Sequence, residues 1–577
     1  MVGGAVTLGL LQSLSELFVF AVGLGFATVA LIFIADVSQT RDAVRRNFPV
    51  LGRFRSLFSM LGEFFRQYFF AMDREEMPFN RAERDWVERS SDNHDNTVAF
   101  GSTRSLAPAG TAIFVNFPFP TLSEDAVDMI PMEIGPGCRQ PYNAPSFFNI
   151  SGMSYGALST PAVRALSKGA GMANCWLNTG EGGLAEYHLE GGADLVFQIG
   201  TAKYGVRDHN GALSDEKLRE VAAIDNVRMF EIKLSQGAKP GKGGILPGRK
   251  VTEEIARIRG IEAGRDSISP NRHPEIANAN QLLDMIEHVR EVTGKPVGFK
   301  SVFGNFEWLE EICRRIHKRG IESAPDFITV DSGDGGTGAA PMALMDNVGL
   351  PIKEALPLTS DVLHRYCLRD RIRLIASGKL VTPSEVAWAI ATGADFVTSA
   401  RGFLFSLGCI QSLKCNKNTC PTGITTHNPR LQRGLNPAEK SVRVANYCRQ
   451  IVKEVQIISH SCGVVRPRLL TRDHVRIVQP DGKSIPMSEL FPRPAILPNC
   501  YESEQAFSAT RHRGDDANDI RRENITELYE NHRTHIRVIR ELARRGYEAA
   551  DIARFVGQKP QKVEDALGMK AVATECS

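Results

Sequence analysis

The sequence predicts an α/β fold, a (β/α)8 TIM barrel, with a transmembrane helix before it and an α-helical region after it. Between residues 145 and 402, eight short β-rich runs alternate with amphipathic, charged segments, which is typical of repeated β/α units. Near the N-terminus, 19 consecutive residues carry no charge. From residue 431 onwards the barrel pattern stops.

These observations divide the chain into four segments. Residues 1–40 form an N-terminal segment with one transmembrane helix at about 17–35, and residues 41–140 form a membrane-proximal helical and extended region. Residues 141–470 hold the barrel and a loop with three cysteines, and residues 471–577 form the helical C-terminal region. A chain of 577 residues is long enough for this arrangement, because a barrel takes up about 250 residues.

Composition and charge exclude several classes of protein. Apolar residues make up 42% and charged residues 23% of the chain, which is ordinary for a globular protein. The 69 Lys and Arg residues against 66 Asp and Glu leave a net charge of +3, so nothing indicates a nucleic acid or another polyanion as partner. Eleven cysteines are an odd number in a long chain, which disfavours a disulfide framework.

The uncharged stretch from Leu17 to Ala35 is long enough to cross a bilayer as a helix, about 28 Å at 1.5 Å per residue. A signal peptide would need basic residues before a shorter apolar run, and neither is present. No Lys or Arg precedes Arg41, whereas five Arg lie within 41–55, so the positive-inside rule places the rest of the chain in the cytoplasm. We therefore expect a single-pass protein of the inner, cytoplasmic membrane with a cytoplasmic catalytic domain; a buried core helix is the alternative. Residues 57–70 predict a helix with one aromatic face, which lies in the membrane interface or packs on the main domain.

Each β/α unit of the barrel has its own strand candidate, and several units have a clear helix. The strands are predicted at 147–153, 175–180, 194–200, 227–234, 296–302, 326–333, 372–378 and 395–402. Helices are predicted at 279–294, 306–320 and 383–393. In such a barrel the functional groups lie at the carboxyl ends of the strands, where this chain concentrates Gly, Ser, Asn, Lys and Glu. An open, doubly wound sheet is the alternative.

Loops rich in glycine and hydroxyl groups follow the last three predicted strands. The loop from Gly333 to Ala340 contains a formal dinucleotide fingerprint, but the next strand ends in Ser377 and Gly378 with no acidic residue, so we reject a dinucleotide site. The glycines instead let the backbone approach a flavin or a phosphate closely. Residues 398–401 complete a loop set that suits a phosphomonoester.

Two further segments carry chemistry. Cys409, Cys415 and Cys420 lie within twelve residues, and three thiolates without an obvious fourth ligand fit an iron–sulfur cluster that lacks one corner better than a structural zinc site. Residues 233–250 form a cationic loop rich in Gly and Pro, which predicts an anionic substrate. Thiols that cluster by chance and a solvated surface loop are the alternatives.

Residues 145–430 resemble the FMN-binding domain of glutamate synthase, and the chain resembles a membrane-anchored member of that family without the amidotransferase domain. The motifs that carry the resemblance are SGMSYGALS (151–159), NTGEGG (178–183), QGAKPGKGGILPG (236–248), GDGGTGAAP (333–341) and the run GC-x5-C-x4-CPTG. The resemblance implies FMN and a [3Fe–4S] cluster as cofactors. It also implies 2-oxoglutarate or a similar oxoacid and ammonia or an amine as substrates, with ferredoxin or a separate reductase as electron donor.

The resemblance further implies roles for individual residues. The catalytic residues would be Glu181, Lys239 and Lys300. The substrate would be bound by Gln236, Lys239 and Arg259. The residues contacting FMN would be Met153, Ser154, Gln198, Lys300, Gly335, Gly336, Thr337, Gly378, Ala400 and Arg401. The cluster would be held by Cys409, Cys415 and Cys420.

The sequence departs from the family pattern at several points. The glutamine amidotransferase domain is missing and no Cys follows Met1, so we expect that this chain does not release ammonia from glutamine. Ile245 stands in the substrate loop where the family has Gln, and residues 377–379 read Ser-Gly-Lys where it has Asp-Gly-Gly. We expect a glutamate synthase-like oxidoreductase, of the class acting on CH–NH2 donors, that aminates 2-oxoglutarate through an imine. The alternatives are a related synthase that uses another amine or oxoacid, such as an N-methylglutamate synthase, and a membrane-tethered redox sensor.

The C-terminal region contains one recognisable spacing. Residues 542–568 match a helix-turn-helix with Gly557 in the turn. Its second helix is nearly neutral, because the positive charges of Lys559 and Lys562 are balanced by the negative charges of Glu564 and Asp565. A helical hairpin used for packing or for partner contact is therefore favoured over DNA binding.

Overall fold

The structure, a computed structural model, describes residues 2–39, 43–65, 72–127 and 129–497, together with Leu542, Ile552 and Val563 as isolated positions. The chain divides into two compact units, residues 1–83 and 84–577. Of the predicted helical C-terminal region, residues 498–577 lie outside the described residues apart from those three positions, and so does the predicted helix-turn-helix.

The first unit is helical. Its helices are α1 (Val2–Ser38), α2 (Ala43–Asn47) and α3 (Leu51–Phe65), and α4 (Arg81–Ser91) begins at its end. Within α1, residues Ser13–Ser38 are long and apolar enough to cross a membrane, with a mean hydropathy of 2.7, and they include the predicted span. By length and composition this helix could therefore span a bilayer.

A buried carboxylate near the end of α1 links this helix to α3. Asp36 is 1% exposed; it accepts a hydrogen bond from the Val50 N–H at 3.0 Å and pairs with Arg53 Nη2 at 2.7 Å. The helix predicted over 57–70 is present as α3 up to Phe65, and residues 66–70 lie outside the described residues. Exposed side chains on α3 include Leu57, Phe58, Leu61 and Phe65.

The second unit contains the barrel, and it confirms the predicted fold class. Two short hairpin strands, β2 (Met132–Ile134) and β3 (Tyr142–Ala144), follow β1 (Ala112–Phe114). Eight parallel strands then close on themselves in chain order. They are β4 (Phe148–Ile150), β5 (Leu177–Asn178), β6 (Leu195–Ile199), β7 (Val227–Lys233), β10 (Val297–Val302), β11 (Phe327–Asp331), β12 (Arg373–Ser377) and β13 (Phe396–Ser399). Each falls within one of the eight predicted runs. The alternative prediction of an open, doubly wound sheet is therefore wrong.

Apolar side chains close the amino end of the barrel. Trp176, Met229, Phe327 and Phe396 are buried near the starts of their strands, and Tyr142 of the β2–β3 hairpin packs into the same cluster. This plug leaves the opposite, carboxyl end of the strands open for a site, as in other barrels of this type.

Helices surround the barrel, and they include the three that the sequence predicts at 279–294, 306–320 and 383–393. The helices are α5 (Thr160–Ala173), α6 (Glu186–Leu189), α7 (Asp215–Ala222), α8 (Glu253–Arg259), α9 (Ala279–Thr293), α10 (Glu307–Arg319), α11 (Met342–Met345), α12 (Ile352–Arg365), α13 (Pro383–Thr392), α14 (Arg401–Ser406), α15 (Pro429–Gln432), α16 (Pro437–Ser461) and α17 (Met487–Leu490). Side chains cap several of them; for example, Asn278 accepts from the Gln281 N–H at the start of α9.

Two small antiparallel sheets complete the unit. The hairpin β8 (Ile245–Leu246) and β9 (Ser267–Ile268) lies within the long segment between β7 and α9. The strand β14 (Val475–Val478) lies between β1 and β15 (Ser484–Pro486) and pairs with both. The segment predicted to be helical from residue 471 therefore contains two strands, because β14 finds its partner in β1, far away in the chain.

Candidate active site

A deep cleft lies at the carboxyl ends of the barrel strands. Its empty volume, including the open mouth, is about 1370 Å³. Most of the residues singled out by the sequence line it, namely Met153, Ser154, Glu181, Gln198, Gln236, Lys239, Arg259, Lys300, Gly336, Thr337, Gly378, Ala400, Arg401 and Cys415. Three others, Gly335, Cys409 and Cys420, are not among the lining residues.

Glu181 is a partly buried anion among cations. It lies on a single 3-10 turn after β5, and its Oε1 pairs with the Nζ of Lys233 at 2.8 Å. Burial opposes the charge of Glu181, but the charges of Lys233, Lys239 and Arg259 outweigh burial and lower its pKa to about 2. Glu181 is therefore ionised at any pH near neutrality.

Sequence reasoning missed Lys233, the last residue of β7. It is 7% exposed, and burial lowers its pKa while the charge of Glu181 opposes that change. The signal was available, since Lys233 is the first residue of the cationic loop 233–250. Two glycines make room for the pair: a Cβ on Gly200 would come within 2.6 Å of the Glu181 Cβ, and one on Gly244 within 2.7 Å of its Oε1.

Lys239 and Arg259 add two more buried cations. Burial and the charge of Lys233 lower the pKa of Lys239 to about 8. Arg259, the last residue of α8, donates from Nη1 to the Ser267 Oγ at 3.2 Å and lies over the Tyr204 ring at 5.1 Å. Its Nε is buried and has no hydrogen-bond partner within the described part of the chain. An anionic ligand in the cleft would relieve such uncompensated positive charge.

Three of the predicted ligand-binding residues bond to one another. Gln236 donates from Nε2 to the Thr337 Oγ1 at 2.6 Å, and Arg401 donates from Nη2 to the Thr337 carbonyl oxygen at 2.6 Å. The Gly237 N–H also donates to the Asp331 Oδ2, at 3.0 Å. These bonds hold the cationic loop, the glycine-rich loop and the start of α14 together as one wall of the cleft.

The glycines of this wall allow a close approach to the backbone. Gly378 has φ +112°, and a Cβ there would meet the Ser332 Cβ at 2.4 Å. A Cβ on Gly336 would come within 2.5 Å of the Arg401 Nε. Ser332 and Arg401 fill the space that a side chain would need at these two glycines, so only glycine allows the wall to pack this closely.

A polar network lies beneath the cleft, inside the barrel. Glu231 is 3% exposed, and its Oε1 accepts from Gln198 Nε2 at 2.6 Å and from Asn178 Nδ2 at 2.9 Å. Its Oε2 accepts from the Thr329 hydroxyl at 2.5 Å. From the sequence, Gln198 is predicted as a site residue, but Glu231, Asn178 and Thr329 are not. Nearby, the Lys300 Nζ lies 4.0 Å from an Asp331 carboxylate oxygen.

The three-cysteine loop reaches the cleft through Cys415. The Nζ of Lys250 donates to the Ala157 carbonyl oxygen at 2.7 Å and to that of Cys415 at 3.4 Å, tying the loop to the wall. Burial raises the pKa of the Cys409 thiol, and the charges of the other two cysteines add to this effect. Among the described residues, no three His, Cys, Asp or Glu side chains are grouped in a way that could hold a metal ion.

Comparisons with known proteins agree with this architecture. A family model described as the conserved region in glutamate synthase matches residues 124–465. A glutamate synthase large subunit-like protein, YerD, from Bacillus subtilis is 40% identical over 80% of this chain and 95% of its own length. An archaeal-type glutamate synthase [NADPH] from Thermotoga sp. is 34% identical over 59% of this chain and 63% of its own length. A glutamate synthase large subunit-like protein from Rhizobium meliloti is 29% identical over 59% of this chain and 75% of its own length.

Proposed function

Because the chain belongs to the glutamate synthase family, we propose that it is an FMN-dependent oxidoreductase that reductively aminates a 2-oxoacid. The substrates we assign are 2-oxoglutarate or a similar oxoacid, with ammonia or an amine as the nitrogen source. The observation that carries the proposal is the cleft itself, in which buried cations surround one carboxylate beside a glycine-lined wall.

The cleft fits FMN by its backbone and by its polar groups. Gly336, Gly378 and Ala400 line the cleft with small residues beside which a ring or phosphate can lie, and the Arg401 guanidinium lies at the same wall. The remaining proposed contacts are Met153, Ser154, Gln198, Lys300, Gly335 and Thr337. When bound, FMN supplies the hydride that reduces an imine carbon to an amine.

The cations of the cleft suit the carboxylates of an oxoacid. Lys239 and Arg259 pair with the substrate carboxylates, since charge-assisted hydrogen bonds of this kind are the strong ones. Gln236 is held by Thr337 and so presents a fixed amide to the same ligand. Glu181, with its pKa near 2, stays ionised and holds the surrounding cations in place; it does not supply a proton.

The loop with Cys409, Cys415 and Cys420 is proposed to hold a [3Fe–4S] cluster that receives electrons from ferredoxin or a separate reductase. Its support is the donor set, three thiols within twelve residues on a loop that reaches the cleft. Iron and sulfide analysis of the purified protein tests it. Cys415→Ser is expected to lose the iron and keep FMN, whereas Cys462→Ser, a buried cysteine elsewhere, is expected to keep both; iron that persists in Cys415→Ser contradicts the assignment.

The N-terminal helix supports a membrane location. We propose that Ser13–Ser38 crosses the cytoplasmic membrane once and that the barrel lies in the cytoplasm. Washing of membranes with carbonate separates an anchored from a soluble protein.

A second candidate reaction keeps the cofactors and changes the amine. Ile245 lines the cleft and is 40% exposed there, so an apolar side chain stands within the substrate loop. Such a surface favours an alkylamine, with an N-alkylated amino acid as the product.

The test is steady-state turnover of the reconstituted full chain with a reduced dye or reduced ferredoxin. We expect amino-acid formation from 2-oxoglutarate with ammonium or with methylamine, and the faster amine decides between the two reactions. Arg259→Met is expected to raise the KM for the oxoacid about tenfold to a hundredfold, because it removes a buried charge-assisted contact. Arg207→Met is the matched control, since Arg207 also lies over the Tyr204 ring, at 5.0 Å, but does not line the cleft. No turnover with any oxoacid and amine overturns the proposal.

A further inference from the structure

In the polar network beneath the cleft, Glu231 determines which groups donate hydrogen bonds and which accept them. Both carboxyl oxygens of Glu231 accept hydrogen bonds, Oε1 from two amides and Oε2 from a hydroxyl group. The two amides that bond to its Oε1 must therefore turn their NH2 groups towards it, which settles an amide orientation that is otherwise ambiguous.

This orientation decides what Gln198 presents to the cleft. Its Nε2 donates to Glu231 at 2.6 Å, so its Oε1 is the polar atom left for a ligand in the cleft that Gln198 lines. Gln198 is 2% exposed, and the charged partner makes its bond one of the stronger kind. The amide oxygen therefore faces away from Glu231 and is available to the cleft as an acceptor.

The same carboxylate orients a loop. Asn178 donates to Glu231, and its Oδ1 is then free to accept from the Gly180 N–H at 2.9 Å. Gly180 has φ +65° and begins the turn that carries Glu181. One buried group therefore fixes both an acceptor in the floor of the cleft and the turn beside it.

We infer that Glu231 is a positioning residue for flavin binding: it holds Gln198 so that Oε1 accepts from the ring N–H of the flavin. The inference rests on the proposed function, because it requires FMN in the cleft. Oxidised isoalloxazine has one ring N–H, at N3, between two carbonyl groups. An acceptor complements that position, whereas an amide NH2 there would place a donor against a donor.

The experiment uses the full-length protein loaded with FMN labelled with ¹⁵N at N3. Glu231→Gln can donate to Gln198 and so releases its amide to turn over. We expect FMN to bind about tenfold to a hundredfold more weakly and the N3 resonance to shift upfield, as for a lost hydrogen bond. Thr329→Val is the matched control: it removes the bond to Oε2 but leaves Oε1 in place, so the N3 resonance should stay where it is in the unmodified protein.

Gln198→Met provides a second variant in case Glu231→Gln does not fold. It removes the acceptor itself and should give the same upfield shift of N3. An N3 resonance unchanged in Gln198→Met, or in a folded Glu231→Gln that binds FMN normally, overturns the inference while the proposed function stands. Failure of the unmodified protein to bind FMN overturns the proposed function as well, and the two failures are thereby distinguished.

Discussion

The two ends of the barrel differ in whether their buried charges have partners of opposite charge. At the amino end, Asp326 is fully buried and accepts from Arg290 Nε at 3.0 Å, from Arg371 Nη2 at 3.0 Å and from the Val297 N–H at 2.9 Å. At the carboxyl end, the cleft is lined by seven Lys and Arg residues and only two acidic ones. Compensated charge contributes to the fold, whereas uncompensated charge marks the place where a ligand brings the opposite charge.

The strongest test of this difference is removal of the compensating carboxylate at the amino end. Asp326→Asn leaves two guanidinium groups without their anion and is expected to lower the free energy of unfolding by about 3–5 kcal/mol. Lys239→Met in the cleft removes a charge that burial disfavours, so it should not lower the free energy of unfolding. Denaturant unfolding of both variants measures the contrast. Equal losses would mean that the cations of the cleft serve the fold and not a ligand.

The backbone of the cleft provides a second test, because one of its glycines is closely packed. Gly378→Ala would place a Cβ against Ser332 at a φ of +112° and is expected to cost about 2–4 kcal/mol, with loss of FMN binding. Gly192→Ala is the control, because Gly192 has φ +66° and open space around it, so it isolates the cost of the conformation, about 1 kcal/mol. Thermal unfolding and FMN titration measure both. A Gly378→Ala protein that binds FMN normally would show that close approach at this glycine is not needed.

The barrel could be predicted from the sequence because its signal is local. Each β-rich run is a few residues long and several are followed by a clear helix, so eight runs in order predict eight parallel strands. Strands β1, β14 and β15 gave no such signal, since Ala112–Phe114 pairs with Val475–Val478 across most of the chain. Short strands whose partners are remote carry too little pattern of their own.

The site shows the same division between local and non-local information. Loops rich in Gly and Lys stand out along the chain, and they led to Gln236, Lys239 and the glycines of the wall. Glu231 and Lys233 lie within a strand, and their roles depend on partners from other parts of the barrel: Gln198 on a neighbouring strand for Glu231, and Glu181 on the turn after β5 for Lys233. A charged residue in a barrel strand becomes informative only when the closure of the barrel shows what it faces.

The smallest expected effect, a pH dependence, separates a charge held for a ligand from one held for the fold. With a pKa of about 8, lowered from its ordinary value mainly by burial, Lys239 loses its proton above pH 8 while the unfolded chain keeps it. Without ligand, the unfolded state then binds more protons between about pH 8 and 10.5, so Lys239 makes the free energy of unfolding rise with pH in that window. Binding of an anionic oxoacid needs the charged form and should change in the opposite direction. We expect the KM for the oxoacid to rise above pH 8, approaching tenfold per pH unit, and Lys239→Arg to flatten this rise because Arg stays charged. Steady-state kinetics from pH 6.5 to 9.5 measure both proteins. A KM that is flat in the unmodified protein would mean that the Lys239 charge does not face the substrate.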